Sequence, residues 1–322
     1  MAETLLFSFA PTQGWLQAAL LVIGIIVVLK GADWLTGGAV GLAERMGVPQ
    51  IVIGLTIVAI GTSMPEFFVS LMSAINGTPD LAVGNIVGSN IFNALLIVGV
   101  AAAVAPIAIL RTTVKKDIPI AVFASILLMG MTLDRQISRI DAAILFACFI
   151  AFIWITVNGA KKDSGATAVE ANSKPMPTVK ALLLVVVGLA CLVGGSNVFV
   201  DNASAIAHSL GISDAVIGLT IVAGGTSLPE LATSVVAARK GNSGIAIGNV
   251  LGSNVFNILM ILGATGLIAP MAISGITMVD LSVMVVSMVL LWLLSFTKYR
   301  IERWEGFVLI AAFAGYMWWL LK

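Results

Sequence analysis

The sequence has 322 residues, of which 59% are hydrophobic and only 10% are charged. Soluble globular proteins carry about 25% charged residues, so this composition excludes an ordinary soluble protein and predicts an integral membrane protein. The net charge of +1 gives no reason to expect a nucleic acid as a partner. Cys148 and Cys191 lie in apolar segments, and their number and spacing exclude a disulfide framework and a zinc-type site. Residues 1–14 lack a basic n-region, so we expect no cleaved signal peptide.

Hydrophobic segments follow one another along the whole chain, and most approach the ~20 residues with which a helix spans a bilayer. We place ten of them, at 14–43, 49–75, 81–104, 117–133, 140–158, 178–208, 213–238, 244–268, 279–296 and 305–321. The sequence therefore predicts an all-α membrane protein with ten transmembrane helices. The first and sixth segments are too long for upright spans, and we expect both to be tilted.

Two motifs occur twice at a constant separation of 164 residues, so the chain is an internal duplication. The first motif is GLTIVAIGTSMPE at 54–66, and it returns at 218–230 as GLTIVAGGTSLPE, with eleven of thirteen residues identical. The second is GNIVGSNIFN at 84–93, which returns at 248–257 as GNVLGSNVFN. Each copy of the duplicated unit holds five of the ten segments.

Because five is an odd number, the second copy must enter the bilayer upside down relative to the first. We divide the chain into a first five-helix repeat at 1–158, a cytoplasmic linker at 159–178 and an inverted second repeat at 179–322, which together form one integrated domain. The basic residues support this orientation. With both termini outside, thirteen of the 17 lie at the cytoplasmic side and only three outside, as the positive-inside rule requires.

Each copy of the first motif has a glutamate directly after a proline: Glu66 follows Pro65, and Glu230 follows Pro229. Proline cannot donate a helical hydrogen bond and disfavours helix at the preceding residue, so the second and seventh helices are predicted to be broken near their middles. Free backbone carbonyls at membrane depth are tolerated only inside protein or beside a cavity. A carboxylate in hydrocarbon is costly unless something binds it, so these breaks predict a cation site.

Further oxygen donors stand at helical spacing in both motifs, where residues three and four apart share a face. They are Thr62, Ser63, Ser89 and Asn93 in the first repeat and Thr226, Ser227, Ser253 and Asn257 in the second. Such hard oxygen donors favour Ca²⁺ or alkali ions over zinc and copper. Two glutamates would also balance the two charges of one Ca²⁺.

These residues also have purely structural explanations. A single intramembrane glutamate can be a protonated, hydrogen-bonded carboxyl, and serine or threonine in a helix often bonds to its own backbone. Asn90 and Asn254 favour a role in holding helices together rather than binding ions. We expect Lys30 and Asp33, which are three residues apart, to pair with each other. Two glutamates in duplicated and inverted contexts favour the binding site.

GTSMPE and GTSLPE, each followed by GNxxGSNxFN, resemble the two alpha repeats of the sodium/calcium exchanger branch of the Ca²⁺:cation antiporter superfamily. The resemblance covers both repeats and hence nearly the whole chain. It implies a small prokaryotic-type antiporter, not an enzyme, that exchanges Na⁺ for Ca²⁺ by alternating access and needs no cofactor. Its partners would be Ca²⁺, Na⁺ and the lipid bilayer, with no obligate protein partner evident. Its location would be the prokaryotic cytoplasmic membrane.

By motif position, the resemblance implies that Glu66 and Glu230 are central ligands shared by Ca²⁺ and Na⁺. Thr62 and Thr226 would offer backbone carbonyls to Ca²⁺. Serine hydroxyls and two further carbonyls would build the flanking Na⁺ sites, and two amides would complete a middle site. The hydroxyls are those of Ser63, Ser89, Ser227 and Ser253, the carbonyls are those of Ala59 and Ala223, and the amides are those of Asn93 and Asn257.

Subclass and coupling ion depend on single positions. K⁺-dependent relatives carry aspartate where this chain has Asn257, so the resemblance favours a K⁺-independent exchanger that moves three Na⁺ per Ca²⁺ and is therefore electrogenic. The cation/proton branch has GNxxE motifs where this chain has GSN, and a proton-coupled antiporter remains the alternative. A cation channel would not need inverted repeats. An intramembrane hydrolase would need a base, yet His208 is the only histidine.

Overall fold

The computed structural model describes residues 11, 13–163, 176–211, 223–320 and 322, and helices account for nearly all of them. The helices of the first half are α1 Gly14–Met46, α2 Gln50–Thr62, α3 Met64–Ile75, α4 Pro79–Val104, α5 Thr113–Asp134 and α6 Arg139–Asp163. Those of the second half are α7 Thr178–Ser209, α8 Ala223–Thr226, α9 Leu228–Arg239, α10 Ser243–Ile268, α11 Met278–Ser295 and α12 Arg303–Leu320.

Seven of the described helices are long and apolar enough to cross a membrane, and the bent pair α2 and α3 raises the number to eight. This confirms the predicted all-α membrane architecture. The count of ten spans stays a prediction, because the predicted seventh segment begins at 213 and the structure describes it only from 223. Helix α12 starts with charged residues, which lower its mean hydropathy. The middle of the predicted linker, 164–175, also lies outside the described residues.

The predicted helix breaks lie at Ser63 and Ser227. Ser63 separates α2 from α3 with φ −85° and ψ 9°, and the two helices are bent by 48°. Ser227 separates α8 from α9 with nearly the same dihedral angles, φ −90° and ψ 7°. In each case proline is the second residue of the following helix, where its missing N–H would have no helical partner in any case. The sequence therefore places both breaks correctly.

The buried centre of the molecule is formed by α4 and α10, which carry the two copies of the second motif. Within their most apolar stretches, 72% of the residues of α4 and 94% of those of α10 are buried. Each helix also has a π-helical stretch, Phe92–Ile97 in α4 and Phe256–Leu262 in α10. Such irregular turns within α-helices are frequent at functional sites.

Helices α1 and α7 form a long antiparallel pair at the periphery, where only 22% and 28% of their most apolar stretches are buried. They approach each other backbone to backbone along a row of glycines. A Cβ atom added to Gly188 would lie 2.6 Å from the Leu35 nitrogen and 2.8 Å from the Gly31 carbonyl oxygen, and one added to Gly195 would lie 3.0 Å from the Gly24 carbonyl oxygen. Small residues permit this close packing of membrane helices.

Four two-residue strands join the two halves of the chain. Strand β1 (Ile107–Ala108) pairs antiparallel with β4 (Arg300–Ile301), and β2 (Gln136–Ile137) pairs antiparallel with β3 (Met271–Ala272). Each pair takes one strand from each repeat. The loop after α4 is thereby joined to the loop before α12, and the loop after α10 is joined to the loop before α6.

The expectation that Lys30 and Asp33 pair with each other is wrong. Asp33 does not pair with Lys30 on α1 but with Lys240 at the end of α9, at 2.6 Å between Oδ1 and Nζ. Helix α1 packs against α9, so the partner of Asp33 is a residue 207 positions away in the sequence. Spacing within α1 could not reveal this partner.

Candidate cation-binding site

The two glutamates of the first motif meet at the centre of the molecule. Glu66 and Glu230 are the third residues of α3 and α9, and each is only 1% exposed. Each carboxylate is hydrogen-bonded to a serine of the opposite repeat. Each lies in the first turn of a half-helix, where unpaired N–H groups and the helix dipole favour negative charge. The broken helices therefore bring two carboxylates, one from each repeat, into one buried space.

Hydroxyl groups cross between the repeats to reach these carboxylates. Ser63 Oγ donates a hydrogen bond to Glu230 Oε1 at 2.8 Å, and Ser227 Oγ donates one to Glu66 Oε1 at 3.0 Å. The spacing of the motif suggested that each serine would share a face with the glutamate of its own copy. That expectation is wrong for these hydrogen bonds, because the helix breaks at the serine itself and its side chain turns toward the opposite repeat.

The second motif adds two more serines from the buried helices α4 and α10. Ser253 Oγ donates to Glu230 Oε1 at 3.4 Å, and Ser227 Oγ lies 3.3 Å from Ser89 Oγ. All four serines are buried. Each carboxylate thus accepts a hydrogen bond from a hydroxyl of the other repeat; Ser253 of α10 also reaches Glu230, whereas Ser89 of α4 contacts the Ser227 hydroxyl that binds Glu66.

The predicted backbone ligands lie just before the breaks. Thr62 is fully buried, its hydroxyl donates to Asn249 Oδ1 at 3.0 Å, and it also lies 3.4 Å from the Ala59 carbonyl oxygen. The Ala59 carbonyl accepts the Ser63 N–H at 3.0 Å. In the second repeat, Thr226 is only partly buried and its side chain faces the Glu66 carboxylate. Ala223 is the first described residue of α8.

Four asparagines bind α4 and α10 to each other. Asn93 Nδ2 donates to Asn254 Oδ1 at 3.0 Å, and Asn257 Nδ2 donates to Asn90 Oδ1 at 3.2 Å. Asn90 and Asn254 therefore hold the helices together, as the sequence suggested. These bonds use the amide nitrogens of Asn93 and Asn257 and orient their carbonyl oxygens away from the pair.

Four buried oxygen atoms at this site have no hydrogen-bond partner among the residues that the structure describes. They are Glu66 Oε2, Glu230 Oε2, Asn93 Oδ1 and Asn257 Oδ1. Nearly all buried polar atoms in native proteins are satisfied, and each exception costs about 1–3 kcal/mol, or more for a charged group. The four atoms form two pairs related by the internal repeat. A set of acceptors that lacks donors is suited to a cation.

Two asparagines that hold the glutamate helices in place were not predicted from the sequence. Asn85 Nδ2 donates to the Glu66 carbonyl at 3.2 Å and to Ser70 Oγ at 3.0 Å. Asn249 Nδ2 donates to the Glu230 carbonyl and to Ser234 Oγ at the same two distances. Both asparagines follow the first glycine of the second motif, so their exact recurrence in an apolar helix was the signal that could have found them.

The glycines of the second motif allow α10 to approach α2 closely. A Cβ atom at Gly248 would lie 3.0 Å from Gly54 Cα, and one at Gly252 would lie 2.7 Å from Leu55 Cα. The equivalent partner of α4 falls at 213–222, outside the described residues.

Two half-helices that meet at paired buried carboxylates, lined by oxygen atoms from both repeats, define a membrane transporter for cations. The sequence pattern of the family described as "Sodium/calcium exchanger protein" matches residues 16–158 and 180–322. The chain belongs to this sodium/calcium exchanger family, which confirms the resemblance seen in its motifs. It is an integral membrane protein of the cation/Ca²⁺ antiporter type, and the family consists of transporters rather than enzymes.

Individual relatives agree with this assignment. The chain is 33% identical over 338 residues to the sodium/calcium exchanger MaX1 of Methanosarcina acetivorans, covering 92% of this chain and 96% of that protein. It is 37% identical over 264 residues to the inner membrane protein YrbG of Escherichia coli, covering 79% and 81%. A solved structure of the sodium-calcium exchanger NCX_Mj, soaked with zero Na⁺ and Ca²⁺, matches with a TM-score of 0.84 and 32% identity over 96% of this chain and 100% of that chain.

Proposed function

We propose that this chain exchanges Na⁺ for Ca²⁺ across a prokaryotic cytoplasmic membrane by alternating access. One observation carries the proposal: four buried acceptor oxygens without hydrogen-bond partners, from Glu66, Glu230, Asn93 and Asn257, lie at the centre between the two repeats. No donor among the described residues satisfies them. A bound cation would supply the missing positive charge, and transport of that cation would explain why both repeats contribute to the site.

Ca²⁺ suits the carboxylate pair. The two glutamates provide two negative charges, and Ca²⁺ accepts about 6–8 oxygen ligands at ~2.3–2.6 Å. The serine hydroxyls occupy one oxygen of each carboxylate, which leaves the Oε2 atoms of Glu66 and Glu230 for the ion. The carbonyls of Thr62 and Thr226, next to the breaks, would complete this set.

Na⁺ would compete for the same carboxylates. The flanking Na⁺ sites would use the hydroxyl lone pairs of Ser63, Ser89, Ser227 and Ser253 with the carbonyls of Ala59 and Ala223. The free Oδ1 atoms of Asn93 and Asn257 would face the middle site. Sharing Glu66 and Glu230 makes simultaneous binding of Ca²⁺ and a full Na⁺ set unfavourable, and this competition is the physical basis of exchange.

Helices α1 and α7 would move relative to the site. They contribute none of the proposed ligands, and their glycine contacts hold them together as one unit. Passing an empty pair of buried carboxylates behind an apolar barrier is costly. Helices α1 and α7 would therefore slide only when bound ions neutralise the site. We further propose ten spans in two inverted repeats with both termini outside, an exchange of three Na⁺ for one Ca²⁺, and independence of K⁺.

Ca²⁺ uptake into proteoliposomes tests this function. An outward Na⁺ gradient should drive uptake, whereas K⁺ and pH gradients should not. Glu66→Gln and Glu230→Gln keep the side-chain shape but leave one carboxylate for a divalent ion, so each should lower uptake by orders of magnitude. Glu44→Gln, at an exposed position of α1, is the matched control and should transport like the parent.

Two results would contradict the proposal. A correctly inserted Glu66→Gln or Glu230→Gln protein that transports Ca²⁺ near the parent rate would remove the carboxylate pair from the site. Uptake that follows the pH gradient instead of the Na⁺ gradient would assign the chain to proton-coupled exchange.

A further inference from the structure

Among the described residues, one ion pair links the peripheral helix α1 to α9. Lys240 Nζ lies 2.6 Å from Asp33 Oδ1 and donates a second hydrogen bond to the Asp33 backbone carbonyl at 3.4 Å. Asp33 lies within α1, and Lys240 is the C-cap residue of α9, the half-helix that begins with the site residue Glu230. The pair therefore links the helix that carries no proposed ligand to a helix that carries one.

The internal repeat has no charged residues at the two positions that correspond to this ion pair. At the separation of 164 residues, Asp33 corresponds to Asn197 on α7, and Lys240 corresponds to Asn76 at the end of α3. Asn76 is the C-cap residue of α3, just as Lys240 is of α9. The two repeats thus share the backbone arrangement, but one has opposite charges where the other has two neutral amides.

We propose that Asp33 and Lys240 form a one-sided latch that holds α1 against the cytoplasmic end of α9 and thereby favours the outward-open conformation. This inference rests on the proposed function, because it requires α1 and α7 to move during exchange. An ion pair formed in only one of two conformations stabilises that conformation. Because Asn197 and Asn76 are neutral amides, no ion pair between these two equivalent positions offsets this bias.

The burial of the site agrees with the direction of the latch. Thr62, on the cytoplasmic side of the break in the proposed orientation, is fully buried, whereas its repeat equivalent Thr226 on the outer side is partly exposed. Of these two repeat-related residues, the one on the outer side is thus the more exposed while the ion pair is formed.

The size of the effect follows from the exposure of the pair. The side chains of Lys240 and Asp33 are 39% and 47% exposed, so water and salt screen their attraction. Exposed ion pairs of this kind change an equilibrium by about fivefold at most. The latch therefore biases the exchanger without blocking it, and its effect should fall as ionic strength rises.

Exchanging charges for the amides of the other repeat tests the latch. Asp33→Asn and Lys240→Asn should each lower the ratio of outward-open to inward-open protein by about two- to fivefold, and the double variant should add little to either. The apparent Ca²⁺ affinity should rise at the cytoplasmic face and fall at the outer face. A choline chloride series, free of Na⁺, should abolish the difference between variant and parent at high salt.

Moving the ion pair to the equivalent positions of the other repeat provides the most stringent control. Asn197→Asp with Asn76→Lys, introduced into the Asp33→Asn, Lys240→Asn protein, moves the ion pair to the outer side and should shift the affinities in the opposite direction. Charge reversal, Asp33→Lys with Lys240→Asp, should restore the parent values. Accessibility of a single cysteine at Thr226 to an impermeant reagent from outside reports the conformation without transport.

The outcomes separate the latch from the function. If the parent exchanges Na⁺ for Ca²⁺ but the Asp33 and Lys240 variants leave both affinities and the cysteine accessibility unchanged, the latch is overturned and the function stands. If the parent shows no Na⁺-driven uptake but Asp33→Asn still lowers accessibility from outside, the proposed function is overturned and the latch stands.

Discussion

Replacing Gly188 by alanine measures how closely α1 and α7 pack. The new Cβ atom would lie 2.6 Å from the Leu35 nitrogen and 2.8 Å from the Gly31 carbonyl oxygen, where an ordinary contact needs at least 3.4 Å. Both neighbours are backbone atoms of a regular helix and cannot turn aside as a side chain could. The helices must therefore separate by about 0.8 Å, the shortfall between 3.4 Å and 2.6 Å.

Gly194 supplies a matched control on the same helix, because a Cβ atom there meets nothing within 4 Å. Alanine improves helix propensity by up to about 1 kcal/mol over glycine, and this gain is common to both variants and cancels in the comparison. What remains is the cost of overpacking, typically about 1–3 kcal/mol. Gly188→Ala should thus be less stable than Gly194→Ala by about that amount.

Thermal unfolding in detergent, followed by tryptophan fluorescence, measures the difference, and Na⁺-driven Ca²⁺ uptake shows whether it affects transport. A second pair on α1 repeats the comparison: Gly38 would place a Cβ atom 2.6 Å from the Ala181 carbonyl oxygen, whereas its neighbour Gly37 has open space. Equal stability within both pairs of variants would refute the backbone-to-backbone packing, and with it the movement of α1 and α7 as one unit.

Three further predictions concern charge, orientation and ion choice. Three Na⁺ for one Ca²⁺ carries one net charge, so a K⁺/valinomycin potential should bias flux by ~2.3 kcal/mol per 100 mV, and flux indifferent to voltage would indicate two-for-one exchange. Cysteines at Met46 and Leu133, both well exposed, should react with an impermeant reagent from opposite sides in a background without the native cysteines; same-side labelling would break the inverted-repeat topology. Asn257→Asp removes the donor to Asn90 Oδ1 and adds a third carboxylate, so its Ca²⁺ uptake should respond to K⁺. A parent protein that already requires K⁺ would contradict this prediction.

The sequence by itself determined the membrane class, the duplication and the positions of both helix breaks. These are local properties. A proline lacks its N–H wherever it stands, so Pro65 and Pro229 end the helical hydrogen bonding at Ser63 and Ser227 whatever surrounds them. Long apolar stretches likewise predict membrane helices without reference to other parts of the chain. The two glutamates could be singled out for the same reason, because a carboxylate in an apolar stretch is costly wherever the helix lies.

Only the tertiary structure decided which groups meet. Ser63 reaches Glu230 rather than Glu66, 167 residues away, and Asp33 pairs with Lys240 rather than Lys30. Helical spacing describes neighbours on one helix, whereas these contacts depend on how the two repeats pack against each other. This packing depends on the close approach of glycine-lined helices and on hydrogen bonds between asparagine side chains of α4 and α10. The hydrogen-bonded asparagines lie more than 150 residues apart in the sequence. A side chain at a break can turn toward either repeat, and packing of the whole bundle selects one of them.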